Sequence, residues 1–392
     1  MIVYSDKEML SSADLIKIID DKIKENIRLD KLQQYYKGQH DILKRYYADP
    51  TKPNNKITVN YCKEISDFFT NYVVGTPIEY KNIPPVIADS LTFNDNDETT
   101  LNTVKDMNTC GFGCELFYTD EAGNIRFTTL DPMECIIIMS DDLNNDIKAF
   151  LRIVKQPEEV GGYILTHYDE KTYSLYRVEE TTNNLTPLSE PTAHYFNDVP
   201  ITLYQNNREL QGSFEQIIPL QDSLNKLMSD TINDYESFVD SYLVLSGVTA
   251  DDKDIAKMKE NRVIITPTDS NVSWLTKNVN NQHIKQLETD LRYYINQTSF
   301  LPDFQDLGNK LFASSGEALK VRLIMTDSKA KEQERSITKA LRRKMELLYN
   351  VFSLSDGLKV DDFINIEYIF KRAFLDDVKV FMTTDADDEY TP

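Results

Sequence analysis

Apolar residues recur at helical spacing in residues 11–47, where Leu15, Ile18, Ile19, Ile23, Ile27, Leu32, Tyr35 and Tyr36 follow a possible cap at Ser11 or Ser12. Gly38 breaks that pattern, and His40, Ile42 and Leu43 suggest a second short helix before a loop at Pro50, Pro53 and Asn54–Asn55. A further helix is predicted from Tyr61 to Val74, with Gly75 at its C-terminal cap and a short strand at Ile78–Tyr80. Residues 86–110 read as helix with a polar interruption at Asn94–Thr100. From Cys114 to about Leu203 the period falls to two. Glu115–Thr119 and Asn124–Thr129 flank a turn at Glu121–Gly123 as a hairpin. More strands are predicted at Glu134–Met139, Ala149–Val154, Tyr163–His167, Thr172–Val178 and Ile201–Tyr204.

After Gly212 the helical period returns over residues 213–242, with Pro219 in the first turns. Leu243–Leu245, Arg262–Thr266 and Val272–Leu275 read as strands around a small helix, Asp251–Lys259. A helix at 282–297, a loop at Phe300–Ser315, a long helix at 316–352 and a strand at 363–371 complete the pattern. The tail beyond Asp376 is mostly acidic and is expected to fray. Helices and strands in separate runs give an α+β fold class.

Composition narrows the function. The chain has 392 residues, 41% of them apolar and 10% aromatic, enough for two or three packed units and too many for wholesale disorder. Nothing approaches the roughly 20 apolar residues of a membrane span, and the start lacks a secretory pattern, so the chain reads as a soluble intracellular product. Four cysteines are too few for a disulfide framework. With 43 basic and 64 acidic side chains the net charge is −21, which repels nucleic acid on average. A repressor-like DNA binder is not expected.

Candidate chemistry is sparse. Cys110 and Cys114 flank Gly–Phe–Gly, but no second Cys or His pair lies near, and Cys62, Cys135, His40, His167, His194 and His283 are scattered. Two small residues packed at a helix-to-strand turn fit better than zinc. Asp141–Asp142, Asp251–Asp252 and Asp361–Asp362 lack a metal-site frame and read as solvated loops. No phosphate loop, nucleophile elbow or metalloprotease motif is present in the sequence. The sharper signal is charge asymmetry: residues 213–242 hold six acids and one base, whereas 316–352 hold nine bases and five acids. Lys331, Arg335, Lys339 and Arg342 share one helical face, either a solvated stripe or a surface for an acidic partner.

The order of certain short runs is more specific. Tyr36-x-Gly38-x-His40-x-Ile42, Lys52-Pro-Asn-Asn-Lys-Ile57, Val59–Asn60 and Tyr72-Val-Val-Gly-Thr-Pro-Ile78 resemble the N-terminal part of tailed-bacteriophage portal proteins, of the type found in long-tailed phages of Gram-positive hosts. The likeness continues through Val199-Pro-Ile201, Asn206–Asn207, Leu220-x-Asp222-x-x-Asn225, Ser229–Asp230 and Asn233-Asp-x-Glu236-x-Phe238. It extends to Leu243-Val-Leu245-x-Gly247, Met258-Lys-x-Asn-Arg-Val-Ile264, Trp274-Leu-x-Lys277, Pro302–Asp303, Ser315-Gly-x-Ala-Leu-Lys320 and Glu334–Arg335.

The resemblance implies a dodecameric ring at one capsid vertex, the head–tail connector, assembled in the host cytoplasm. It implies no catalysis and no cofactor. The ring would pass double-stranded DNA without sequence specificity during packaging and ejection, and would dock the terminase large subunit and the head–tail adaptor. It would also meet major capsid and scaffolding proteins, with no membrane partner. On this mapping residues 1–212 are the wing, 213–242 and 282–298 the stem helices, 243–281 the clip, and 299–315 the tunnel loop. Residues 316–375 form the long wing helix and returning strand, and 376–392 an acidic tail that leaves a crown reduced or absent.

Implied sites follow. Asp222, Lys226, Asp230 and Asp234 would face the channel; an acidic wall would keep DNA from sticking. Phe304, Leu307, Asn309, Lys310 and Phe312 would form the tunnel loop, with Lys310 the candidate DNA contact. Arg262, Val263, Ile264 and Trp274 would lie at the clip interface, Trp274 more as clip core than as partner anchor. Lys331, Arg335, Lys339 and Arg342 would face a neighbouring subunit. Two other readings stay open: a metal-dependent nucleic-acid enzyme using Asp and Glu clusters, and a monomeric intracellular scaffold.

Overall fold

The computed structural model describes residues 1–7, 10–50, 52–179, 184–239, 242–246, 271–275, 281–302 and 316–372. In chain order the elements are β1 (Ile2–Ser5), α1 (Ser12–Tyr36), α2 (Tyr61–Val74), β2 (Glu79–Lys81), α3 (Pro85–Phe93) and α4 (Asn96–Cys110). Strands follow: β3 (Phe112–Thr119), β4 (Ile125–Leu130), β5 (Cys135–Ser140), β6 (Ile147–Lys155), β7 (Tyr163–Tyr168), β8 (Thr172–Val178), β9 (Leu185–Pro187), β10 (Thr192–Ala193) and β11 (Ile201–Gln205). Then come α5 (Ile218–Val239), β12 (Tyr242–Ser246), β13 (Asn271–Leu275), α6 (Asn281–Ser299), α7 (Gly316–Asp356) and β14 (Glu367–Ile369). Helices and sheets together make this an α+β protein.

Two compact units divide the chain: residues 1–39, 60–218 and 295–392 form one, and 40–59 with 219–294 the other. In the first, a sheet of order β1-β5-β6-β7-β8-β10, with β9 also on β8, is built on β5. Every residue of β5 is buried, because the run Cys-Ile-Ile-Ile-Met packs on both faces. Ile136 and Ile138 meet Leu15, Ile18 and Ile19 of α1 on one face. Ile137 and Met139 join Phe112, Cys114 and Leu130 of the three-stranded sheet β11-β3-β4 on the other. Helix α1 starts at a capping box in which Ser11 and Asp14 satisfy each other's backbone amides. It ends at Tyr36, and Asp41–Lys44 form a single 3₁₀ turn.

Helix α7 packs its Ala330, Ile337, Ala340 and Leu341 against Val73 of α2, Val104 and Met107 of α4 and Tyr204 of β11. Polar groups fix its register. Lys344 and Glu115 are wholly buried and pair at 2.9 Å. Glu115 accepts from Thr202 Oγ1 (2.9 Å) and the Tyr204 hydroxyl (3.2 Å), while Lys344 donates to Asn96 Oδ1 (2.9 Å). About three turns earlier, at 3.6 residues per turn, Gln333 Nε2 reaches Asn108 Oδ1 and Asn206 Oδ1, both at 2.7 Å. Farther along the chain, Arg372 closes on the same helix: it pairs with Glu334 at 2.5 Å and lies over the Tyr72 ring at 4.8 Å.

The break between α3 and α4 falls inside the expected polar interruption, with Asp95 at φ +46. Cys110 ends α4, and Gly111 (φ +91) turns straight into β3. A Cβ there would lie 2.0 Å from the Leu210 carbonyl oxygen, so the turn between Cys110 and β3 is one that only glycine fits. Three features depart from the expected pattern. β1 pairs in parallel with β5 (Ile2↔Ile137), a contact without local signal. Ile27 of α1 stays 74% exposed despite its helical spacing. The strand expected over 363–371 shrinks to β14, because Val360–Asn365 forms a 3₁₀ helix with Asp361 and Asp362 in its first turn.

Candidate functional site

In the second unit an extended stretch, Asn54–Val59, lies antiparallel to α5 and is held by side chains four residues apart. The amide of Asn55 donates to Asn233 Oδ1 (2.8 Å), that of Ile57 to Ser229 Oγ (2.9 Å) and that of Val59 to Asn225 Oδ1 (2.9 Å). Gln221 Nε2 donates back to the Val59 carbonyl. Four helical residues rise about 6 Å and two extended residues about 6.6 Å, so alternate amides meet successive turns. Asn225 and Ser229 are buried, and their polar groups give the stretch the partners a neighbouring strand would give. The Val59 amide can only donate, which fixes the orientation of the Asn225 side chain. Its Nδ2 therefore faces Nδ1 of buried His40 at 2.7 Å, where the ring accepts.

This ladder joins residues that the sequence reading noticed separately. His40, Asn55, Ile57 and Val59 belong to one set of family-like runs, and Asn225, Ser229 and Asn233 to another. Their structural role was missed. The signal that could have revealed it is the four-residue polar spacing Gln221, Asn225, Ser229, Asn233 in one helix.

The expected channel residues Asp222, Lys226, Asp230 and Asp234 follow each other at the same spacing on the adjoining stripe of α5. Lys226 is exposed and the three acids are partly so. Asp230 pairs within its own chain, with Arg45 at 2.6 Å. Arg45 also donates to the Asn55 carbonyl (2.6 Å) and Asn54 Oδ1 (3.1 Å), which ties it to the extended stretch. Glu236 accepts from Asn55 Nδ2 at 2.7 Å.

The basic excess of α7 is partly internal. Lys344 is buried against Glu115, Arg343 pairs with Asp198, and Lys331 pairs with Asp327 at 2.6 Å. Burial pulls the Lys344 ammonium below its ordinary pKa, with the Glu115 carboxylate opposing. Arg335, Lys339 and Arg342 are exposed and have no ion pair with another described residue. Lys339 and Arg342 line a cleft of about 560 Å³ with Asn144, Asn145 and Asp146. Trp274 stands on β13, opposite Leu243 of β12 in an antiparallel pair. Arg262, Val263 and Ile264, and the loop residues Phe304, Leu307, Asn309, Lys310 and Phe312, lie outside the described residues.

Acid pairs and cysteines have local roles. Asp142 Oδ1 accepts from Ser140 Oγ and the amides of Asn144 and Asn145, bonds that hold its carboxyl below the usual range. All four thiols are buried and unbridged, and burial pushes that of Cys110 up. Among the described residues no group of three or more His, Cys, Asp or Glu is placed to hold a metal, and no helix is long and apolar enough to cross a membrane.

Comparison with known proteins supplies the frame for this geometry. Over 376 residues the chain is 24% identical to the portal protein of Bacillus phage SPP1, covering 87% of this chain and 73% of that one. It is 21% identical over 268 residues to the portal protein of Clostridium phage phiCD119, covering 61% of this chain and 59% of that one. A crystal structure of an HK97-family phage portal protein from Corynebacterium diphtheriae aligns with 82% of this chain and 98% of its own, at 10% identity and a TM-score of 0.33. The family model for phage portal proteins of the SPP1 Gp6-like type matches residues 15–384, nearly the whole length, and the chain belongs to that family.

Proposed function

We propose that this portal protein acts as a passive conduit: copies close into a dodecameric ring whose channel passes double-stranded DNA in packaging and ejection. Family membership supports a structural role in the phage capsid. The terminase large subunit and the head–tail adaptor would dock on the clip, here β12, β13 and the chain between them. Major capsid and scaffolding proteins would surround the wing. Helices α5 and α6 would be the stem, residues 299–315 the tunnel loop with Lys310 touching the duplex, and Arg262, Val263, Ile264 and Trp274 the clip interface.

One observation carries the reading: opposite charges are displayed on separate helices of the same chain. Helix α5 carries Asp222, Asp230 and Asp234 around Lys226 on one stripe, with Asp230 paired to Arg45 of its own chain, while α7 exposes Arg335, Lys339 and Arg342. In a head-to-tail ring one surface of a subunit meets a different surface of the next, and opposite charges then fix order and orientation. Carboxylates left facing the bore would repel phosphates, so DNA slides instead of sticking.

Electron microscopy and light scattering of the purified protein test this directly. Rings near twelve chain masses are expected. A chain that stays monomeric at high concentration in low salt overturns the conduit. In the same assay Arg335→Glu with Arg342→Glu should weaken ring formation; unchanged rings would remove the basic face from the interface.

A further inference from the structure

We infer that α5 and the extended stretch 54–59 form a register-coded latch, in which Lys226 is the stop that prevents a slip of one helical turn. The latch lies within one chain and does not depend on the ring.

The ladder alone does not choose its register. Sliding the stretch one turn toward the start of α5 would set the amides of Asn55, Ile57 and Val59 against Ser229, Asn225 and Gln221. All three are polar side chains, so every rung could re-form. His40 would exchange the Asn225 carboxamide for that of Gln221, the same chemical group on a longer arm. The slip would forfeit the Gln221 bond to the Val59 carbonyl and the Asn55 bond to Glu236 at 2.7 Å. Hydrogen bonding thus separates the two registers by those two bonds alone.

Charge separates them. Arg45 moves with the stretch, because its guanidinium is bonded to Asn54 and Asn55. In the observed register it meets Asp230 at 2.6 Å. One turn back it would meet position 226, which is lysine. Asp230 therefore rewards the observed register and Lys226 penalises its neighbour, an arrangement in which repulsion contributes specificity as much as attraction does.

Amide hydrogen exchange resolved to single residues can read the register without added labels. In the parent protein Ser229→Ala should speed exchange of the Ile57 amide roughly tenfold and leave Asn55 unchanged, because Ser229 holds Ile57. In the swap Lys226→Asp with Asp230→Lys, Ser229→Ala should instead expose Asn55, since the stretch has moved one turn. Exposure of Ile57 alone in that background overturns the code, and no effect at Ile57 in the parent overturns the ladder. If the double swap fails to fold, Lys226→Asp alone serves: partial exposure of both amides is expected, and exposure of Ile57 alone refutes the stop.

Discussion

Replacing Lys344 by methionine tests whether α7 is pinned by a buried ion pair. Both partners are fully buried, and the ammonium serves Glu115 and Asn96 while lying 4.5 Å from the centre of the Phe127 ring. Methionine fills similar volume but leaves the Glu115 carboxylate without its counter-ion. Stranding one charge of a buried pair costs about 3–5 kcal/mol. Thr202 and Tyr204 still donate to the carboxylate, which places the expected loss near the lower end, about 3 kcal/mol. Lys344→Met with Glu115→Gln removes both charges while keeping an acceptor for Thr202 and Tyr204. It should regain at least about 2 kcal/mol, since neutral replacements of buried pairs are often tolerated. Urea unfolding followed by circular dichroism, compared at equal m-values, gives both numbers. A loss below about 1 kcal/mol for the single variant, or a double variant no more stable than the single, would refute the reasoning.

Three further outcomes follow from the geometry. Burial, with the nearby Asp131 carboxylate, holds Asp106 up to about 7 against an ordinary value of 3.8. Between those values the folded chain keeps a proton that the unfolded chain has lost, so this group makes stability fall as pH rises through that window. Asp106→Asn should flatten the fall and add about 2 kcal/mol at pH 8; identical urea midpoints for both proteins from pH 5 to 8 would count against it. Asn225→Ala removes the shared partner of His40, Val59 and Gln221 and should cost about 2–3 kcal/mol, with faster amide exchange at Val59 as the local sign. Gly111→Ala should lose at least about 2 kcal/mol through its clash with the Leu210 carbonyl, whereas Gly123→Ala, with φ +85 and nothing within 4 Å, should lose about 1; equal thermal shifts would contradict the contrast.

Much of the fold was readable because its signals are local. Helix α2 runs from Tyr61 to Val74 as the spacing predicts, and the β3–β4 hairpin forms around its expected turn. What escaped depends on partners distant in sequence. β1 finds β5 across more than a hundred residues, and Lys344 finds Glu115 229 positions away. No local window separates Lys344 from its exposed neighbour Arg342. Phe363, Ile364, Ile366 and Tyr368 resemble a strand, yet the acids before them favour a 3₁₀ turn. At the candidate site, the acidic stripe of α5 was legible as charge but not as contact. Asp230 is engaged by Arg45, and the polar ladder beside it reads as ordinary helix surface until the extended stretch is laid against it.

The clasp at Arg372 has a practical consequence. β14 is only three residues long, so pull on the chain beyond it would peel that strand easily. The guanidinium of Arg372, gripped by Glu334 and the Tyr72 ring, works like the strain relief on a cable. A pulling force applied to the chain downstream would thus load the middle of α7 and the end of α2 before the large sheet.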